Sequence, residues 1–179
     1  VVFANAHIAT PICTPSRFNL LAGKYASRCQ SVKFKRTIKK VGFPIISWNS
    51  VIHADHPHLG RYLDDAGYFT GFVGKNHIIK GPDRLPRIDR EADIDDPKTI
   101  AFMRDLYKKE RDYVLRAGFD YAASLYSHNP DAIGPPPIAV HNMDWQTHGA
   151  LEFLDRAGAQ DEPFFLYFAY PGPHAPIIP

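Results

Sequence analysis

The spacing of apolar residues predicts helices that alternate with strands along this chain. Apolar side chains recur at intervals of three and four over residues 59–66, which indicates one face of a helix, and Gly67 can end it. The stretch that follows is rich in aromatic and β-branched residues, as strands are. Three such helix and strand pairs are expected, at 59–66 with 68–73, 97–117 with 119–125, and 142–157 with 163–170. This alternation is typical of an α/β fold whose mostly parallel sheet is covered by helices on both faces.

The first 57 residues give weaker signals. The apolar stretch 1–9 predicts a short strand or a buried loop. Thr14 can cap a helix that Gly23 can end, so Cys13 is expected just ahead of a helix N-terminus. Residues 30–57 show no sustained period and predict an irregular segment.

The composition is that of a globular protein, because 45% of the 179 residues are hydrophobic and 13% are aromatic. A net charge of +2 gives no reason to expect nucleic acid or a membrane surface as a partner. No apolar run reaches the length that spans a bilayer. The basic run 33–40 is expected to be a solvated loop or edge, with an anion-binding patch as the alternative. Cys13 and Cys29 are too few for a disulfide framework and do not indicate a redox compartment.

Three short segments carry candidate chemistry. They are CTPSR at 13–17, GKNH at 74–77 and PHAP at 173–176. The second and third follow predicted strands, and ligands of parallel sheets bind at the carboxyl ends of strands. Taken alone, Cys13 would be a structural thiol or half of a bridge to Cys29, and a single loop histidine is more often held by backbone groups than catalytic.

Together and in this order, the three segments resemble the type I sulfatase family, which carries CxPxR, then GKxH after a strand, then PHxP after a later strand. The resemblance covers nearly the whole chain, including NAH before the first segment and LLAGKYASR and GRYLDDAGYFTGFVGK after it. It implies a three-layer α/β/α sandwich of the alkaline-phosphatase-like fold, here incomplete. Residues 1–179 would be part of a single catalytic domain that lacks its first strand and its C-terminal half.

In that family the cysteine is oxidised to formylglycine, whose hydrated aldehyde attacks a sulfate ester and then releases sulfate. The resemblance therefore implies a sulfuric ester hydrolase whose nucleophile derives from Cys13, at a helix end that favours anions. Arg17 would hold the oxygens of the nucleophile. Lys75 and His174 would bind the sulfate, and His77 and His174 would share proton transfer, with the acid and base assignment open.

The family also uses a divalent cation, usually calcium with magnesium as the alternative, which Cys13 would help to bind as formylglycine. Its carboxylate ligands come from an acidic pair ahead of the CxPxR segment and from a later Asp-Asn pair. No acidic residue precedes Cys13, and the pairs Asp64-Asp65 and Asp95-Asp96 lie in a predicted helix and a surface loop. The other ligands are therefore expected outside this chain. The histidine-rich stretch 53–58 matches no usual zinc spacing.

The resemblance implies a sulfated small molecule or carbohydrate as substrate and a formylglycine-generating enzyme as maturation partner. It also implies the remainder of a sulfatase polypeptide as structural partner, and export to a periplasmic, secreted or lysosomal location. Asn76 stands where the family often has tryptophan, so the substrate is not specified further. Two alternatives stay open: a phosphonate or phosphate ester hydrolase of the same superfamily, and a truncated form without catalysis.

Overall fold

A parallel sheet forms the centre of the molecule. The computed structural model describes residue 2, residues 4–129, residues 133–172 and residue 174. Within these residues the sheet has three strands in the order β2-β1-β3, namely β1 (Phe69–Lys75), β2 (Tyr121–Tyr126) and β3 (Phe164–Ala169). Both pairings with the central strand β1 are parallel. The α/β class with a parallel sheet is thus confirmed.

Five α-helices lie in the same described part of the chain. They are α1 (Cys13–Ala22), α2 (Val32–Val41), α3 (Leu59–Asp65), α4 (Pro97–Arg116) and α5 (Met143–Gly158). Short 3-10 turns occur at Ala26–Arg28 and Pro136–Ile138. Within the described ranges, no helix combines the length and the apolar character that crossing a bilayer needs.

Helices cover both faces of the sheet. On one face, Phe72 of β1 belongs to a buried cluster with Phe18 of α1 and Val114 of α4. On the other face, the neighbouring Val73 belongs to a second cluster with Phe153 of α5. Successive residues of β1 thus enter different cores, as the two-residue period of a strand requires. The result is the three-layer arrangement expected from the resemblance.

The pairing register of β1 with β2 is irregular at the carboxyl end of β1, just before the loop that carries His77. The pairing of β1 with β2 shifts between Val73 and Lys75. Gly74, between them, has φ +95°, and a Cβ on it would lie 2.6 Å from the carbonyl oxygen of Ala169 in β3. Only glycine fits such a position, because the backbone of β3 approaches it closely and φ is positive.

The segment 30–57 contains a helix where the sequence predicted an irregular stretch. The Ser31 hydroxyl caps α2 by accepting a hydrogen bond from the backbone N–H of Phe34 at 3.2 Å. Phe34 is 1% exposed and Ile38 packs against the same core, while the lysines of the run 33–40 lie on the opposite side. The run 33–40 is solvated as expected, but the expected loop or edge is a helix, because two inward residues in a ten-residue helix give too short a period to detect.

Two details near the N-terminus also differ from expectation. Helix α1 begins at Cys13, with Ile12 at the capping position, so Thr14 lies inside the first turn and does not cap the helix. Ile12 has no polar side chain to satisfy the first N–H groups, which leaves this helix end open to an external acceptor. In the stretch 1–9, residues 2 and 4–9 are exposed and form no strand, and residues 1 and 3 lie outside the described residues.

The other elements begin and end within a few residues of their predicted limits. Strand β3 differs in burial, because it was expected to be buried on both sides. Phe164 is 50% exposed and Phe168 is 39% exposed, since β3 lies at one edge of the described sheet.

Candidate active site

The first turn of α1 contacts the loop that follows β1. Cys13 is half-buried, and its Sγ lies 3.2 Å from Nδ1 of His77. These residues are 64 positions apart in the chain, so the contact depends on the packing of α1 over the carboxyl end of the sheet. A neutral imidazole at this distance can accept a proton from the group at residue 13.

Arg17 lies one helical turn after Cys13 and contacts the end of β1 and the side chain of Tyr167 in β3. Its Nη1 donates to the carbonyl oxygen of Lys75 at 3.4 Å and to the hydroxyl of Tyr167 at 3.2 Å. Tyr167, on β3, is 8% exposed, and burial raises its pKa, so the phenol stays neutral beside the guanidinium. The permanent charge of Arg17 is therefore fixed close to Cys13.

Lys75 is the last residue of β1 and is only 1% exposed. Its Nζ donates a hydrogen bond to Oδ1 of Asn129 in the loop after β2. A buried ammonium group requires such acceptors, because leaving it without partners costs several kcal/mol. The carboxyl ends of β1 and β2 thus contribute to one site, as expected for a parallel sheet.

His77 is held as a neutral ring. Burial is the main cause that lowers its pKa to about 2, and the charge of Lys75 lowers it further. Its ring meets the ring of His128 edge-on at 5.7 Å, and burial lowers the pKa of His128 to about 4. At neutral pH, positive charge next to Cys13 therefore comes from Arg17 and Lys75, not from these imidazoles.

A cavity of about 470 Å³ opens over the start of α1. Its polar side includes Cys13, Arg17, Asn129, Tyr167 and His174, and its apolar side includes Ile8, Ile12, Leu20 and Trp48. This volume is in the range of small-molecule sites. Two further residues contact this polar lining: Lys75 donates a hydrogen bond to Asn129, and His77 contacts Cys13.

His174 is positioned at the cavity by a neighbouring histidine. Nε2 of His141 lies 3.1 Å from the backbone carbonyl oxygen of His174, and Nδ1 of His141 lies 3.4 Å from the hydroxyl of Tyr126. The carbonyl can only accept, so His141 carries its proton on Nε2 and receives the Tyr126 hydroxyl on Nδ1. The other residues of the PHAP segment, at 173, 175 and 176, lie outside the described residues.

Of the five residues singled out from the sequence, Cys13, Arg17 and His174 line the cavity, and the other two, Lys75 and His77, contact residues that line it. Their catalytic and binding roles remain predictions. Sequence reasoning missed Asn129 and Tyr167. The position of Asn129 just after a predicted strand was a usable signal, whereas Tyr167 was hidden in an apolar strand that gave none.

The other residues considered in the sequence analysis make contacts that stabilise the fold. Cys13 and Cys29 are both free thiols, and Cys29 is 2% exposed beside Ser31. His58 caps α3, and its Nε2 lies 2.8 Å from the carbonyl oxygen of Ala117. Asp96 caps α4.

The residues of the chain that the structure describes do not fit a complete site for the cation of the family. Among them, no group of three or more His, Cys, Asp or Glu side chains is placed to hold a metal ion. This applies to the stretch 53–58 and to both acidic pairs.

The fold and the hollow at its carboxyl edge define an α/β protein of the alkaline-phosphatase-like fold. A model of the family described as Sulfatase matches residues 1–178. The chain belongs to the sulfatase family.

Comparison with individual proteins agrees with this assignment. The chain is 27% identical over 180 residues to the uncharacterized sulfatase YdeN of Escherichia coli (strain K12), covering 98% of this chain and 30% of that protein. It is 24% identical over 177 residues to N-acetylgalactosamine-6-sulfatase of Mus musculus, covering 99% of this chain and 34% of that protein. The chain spans about a third of the length of these curated relatives.

The fold is also found among solved structures. The crystal structure of Ps i-CgsB matches with a TM-score of 0.52 at 24% identity, over 94% of this chain and 36% of that chain. A second crystal structure of that protein is a complex with k-i-k-neocarrahexaose. At this identity the likeness establishes the fold alone.

Proposed function

We propose that this chain supplies part of the active site of an enzyme that hydrolyses sulfate monoesters and releases inorganic sulfate. The observation that carries the proposal is the contact of Cys13 with His77 at 3.2 Å, at the start of a helix and beside Arg17. An open helix N-terminus and a fixed guanidinium both favour an anionic substrate. The family assignment gives independent support for the reaction class.

The nucleophile is formylglycine, made from Cys13 by a separate formylglycine-generating enzyme. Its hydrated aldehyde supplies one hydroxyl for attack on sulfur and a second whose deprotonation frees sulfate afterwards. The free N–H groups of α1 and the guanidinium of Arg17 stabilise negative charge on these oxygens. Serine at this position would lack the second hydroxyl and would retain the sulfate.

The remaining residues bind the sulfate group or interact with the reacting oxygens. Lys75 neutralises a sulfate oxygen, and His174, which lines the cavity, contacts the ester. His77 is neutral, so its Nδ1 can accept a hydrogen bond from a hydroxyl at residue 13 and orient that hydroxyl for attack. His174 then protonates or hydrogen-bonds the leaving alcohol oxygen.

The cation of the family would be calcium, or magnesium, and it would polarise the sulfate. Apart from residue 13, its ligands would come from polypeptide outside these 179 residues. A calcium titration of the full-length protein by calorimetry tests this, with the 179-residue chain as the comparison. Tight binding by the short chain alone would contradict it.

The substrate class is a sulfated carbohydrate or a sulfated small molecule. The name N-acetylgalactosamine-6-sulfatase, carried by one relative, supports a carbohydrate ester. An exported, secreted or lysosomal location fits such substrates, and the name of an extracellular sulfatase of Drosophila melanogaster among the relatives agrees with it.

The test uses the full-length protein co-expressed with a formylglycine-generating enzyme. We expect turnover of 4-nitrophenyl sulfate to exceed that of a matched aryl phosphonate. Cys13→Ala should reduce turnover to the background, while Cys29→Ala, which alters the other thiol, should keep it. Preference for the phosphonate would assign the chain to the other branch of the superfamily. Absence of turnover in protein with converted Cys13 would contradict catalysis altogether.

A further inference from the structure

Glu110 is a buried acid on a helix whose other charges face water. Glu110 stands between Lys109 and Arg111, which are exposed, yet it is itself only 7% exposed. Burial raises its pKa to about 7, against the opposing effects of Lys80 and Asn76. A carboxyl group is costly to bury, so its neighbours indicate what it does there.

The direct partner of Glu110 is Asn76. The Nδ2 of Asn76 donates to Oε1 of Glu110 at 3.2 Å and to the carbonyl oxygen of Ile79 at 3.0 Å. The Oδ1 of Asn76 accepts from the backbone N–H groups of Ile78 and Ile79, at 3.4 and 2.9 Å. Asn76 is fully buried, and both its amide nitrogen and its amide oxygen have protein partners.

Lys80 ties the same loop to the end of β2. Its Nζ donates to the carbonyl oxygen of Asn76 at 3.2 Å and to that of Ser127 at 3.4 Å. The backbone N–H of Asn76 also donates to the carbonyl oxygen of Tyr126 at 2.9 Å. The loop after β1 is therefore attached to α4 through Glu110 and to β2 through its own backbone.

Asn76 lies between the two loop residues to which the proposed function assigns chemistry. Lys75 and His77 are its immediate neighbours in sequence, so the conformation at Asn76 sets the direction of both side chains. We propose that Glu110, acting through Asn76, is a positioning residue of the active site, one that fixes Lys75 and His77 against Cys13. The inference rests on the proposed function, because the reaction is what makes this geometry matter.

Two substitutions at position 110 separate positioning from charge. Glu110→Gln keeps an acceptor oxygen at the same place, so it should keep most of the turnover of 4-nitrophenyl sulfate. Glu110→Leu removes the acceptor and fills the same space with apolar atoms, so one N–H of Asn76 loses its partner. We expect its kcat to fall about 100-fold, the order of loss that a misplaced catalytic group causes, with a smaller change in KM.

Glu152→Gln is the matched control. Glu152 is a solvent-accessible acid on α5, and in the described part of the chain its salt bridge is with Arg156. It should leave kcat unchanged. If Glu110→Leu does not fold, Glu110→Met takes its place, because methionine has the same length and no acceptor oxygen.

Hydrogen–deuterium exchange gives a readout that does not depend on turnover. Backbone amides of residues 76–80 should exchange faster in Glu110→Leu than in Glu110→Gln or in the wild type, with the rest of the sheet unchanged. Wild-type kcat and unchanged exchange in Glu110→Leu would overturn the positioning role while leaving the proposed function intact. A loss in Glu110→Gln as large as in Glu110→Leu would also overturn it. Failure of the wild-type protein to turn over any sulfate ester would count against the proposed function, and the exchange result would still decide the coupling.

Discussion

The charges around Cys13 are arranged so that Arg17 and Lys75 are positive while His77 and His128 are neutral. Arg17 is fixed by acceptors on two strands, and Lys75 is buried against Asn129. His77 stays uncharged, because its burial and its cationic neighbours both oppose protonation. A site of this kind binds an anion with positive charges and retains a neutral hydrogen-bond acceptor beside residue 13.

Arg17 offers the sharpest test of that arrangement by substitution. Arg17→Ala removes the guanidinium from the developing negative charge, so kcat for 4-nitrophenyl sulfate should fall by about 100-fold or more. Arg17→Lys should recover only part of the loss, because a lysine cannot reach both acceptors as a planar fork. Arg156→Ala, on the exposed side of α5, is the matched control and should behave as the wild type. Equal activity in Arg17→Ala and Arg156→Ala would contradict the assigned role.

Glu110 makes a prediction about stability and pH. Its folded pKa of about 7 lies above the ordinary glutamate pKa of 4.5, so the folded state holds this proton more tightly than the unfolded state. As pH rises from about 4.5 to about 7, the folded protein therefore loses stability through this group, and the penalty is constant above that range. At about 1.4 kcal/mol per pKa unit, the penalty is on the order of a few kcal/mol.

The measurement is the melting temperature of Glu110→Gln relative to the wild type between pH 5 and pH 8. The difference should move in favour of the variant as pH rises. The Glu152→Gln difference should stay flat over the same range, because hydrogen bonding from Arg156 lowers the pKa of Glu152 and moves its titration below pH 5. A flat difference for Glu110→Gln would refute the raised pKa.

Among the secondary-structure elements, the regular ones could be predicted and their contacts could not. Strand β1 and helix α3 have strong local periods, and the segments at 13–17 and 74–77 mark the start of α1 and the end of β1. Helix α2 was missed because most of its residues face water and only Phe34 and Ile38 reach the core. The burial of Glu110 depends on how α4 is rotated against the sheet, which no local pattern specifies.

Gly74 makes a prediction at the level of strand pairing. Gly74→Ala would bring a Cβ within 2.6 Å of the Ala169 carbonyl at φ +95°, so β1 and β3 must separate or the loop must turn. We expect a loss of more than about 1 kcal/mol in the free energy of unfolding, together with reduced turnover, because Lys75 follows directly. Gly158→Ala, where no atom lies within 4 Å of the added Cβ, should leave stability equal or slightly higher. Similar melting temperatures for both variants would show that the close approach is absent.

In the whole molecule, the described sheet has two edges, and large apolar side chains are exposed beside one of them. Phe164 and Phe168 of β3 and Leu151 and Leu154 of α5 are each between 39% and 55% exposed. The curated relatives are about three times as long as this chain. We therefore propose that residues 1–179 form part of a larger catalytic domain whose other segments cover these side chains.

The isolated 179-residue chain should then self-associate and bind a hydrophobic dye, and the full-length protein should not. Light scattering and dye fluorescence on both proteins at equal concentration provide the measurement. A monomeric short chain that unfolds cooperatively without dye binding would show that the exposed apolar surface needs no cover.

The chemical state of residue 13 is the most direct test of the proposed reaction. Mass spectrometry of the tryptic peptide ending at Arg17, from full-length protein made alongside the maturation enzyme, should show residue 13 with one sulfur and two hydrogens fewer and one oxygen more than cysteine. The peptide that contains Cys29 should be unchanged. An unmodified cysteine at position 13 in such material, with sulfate ester turnover still present, would contradict the claim that this thiol is the precursor of the nucleophile.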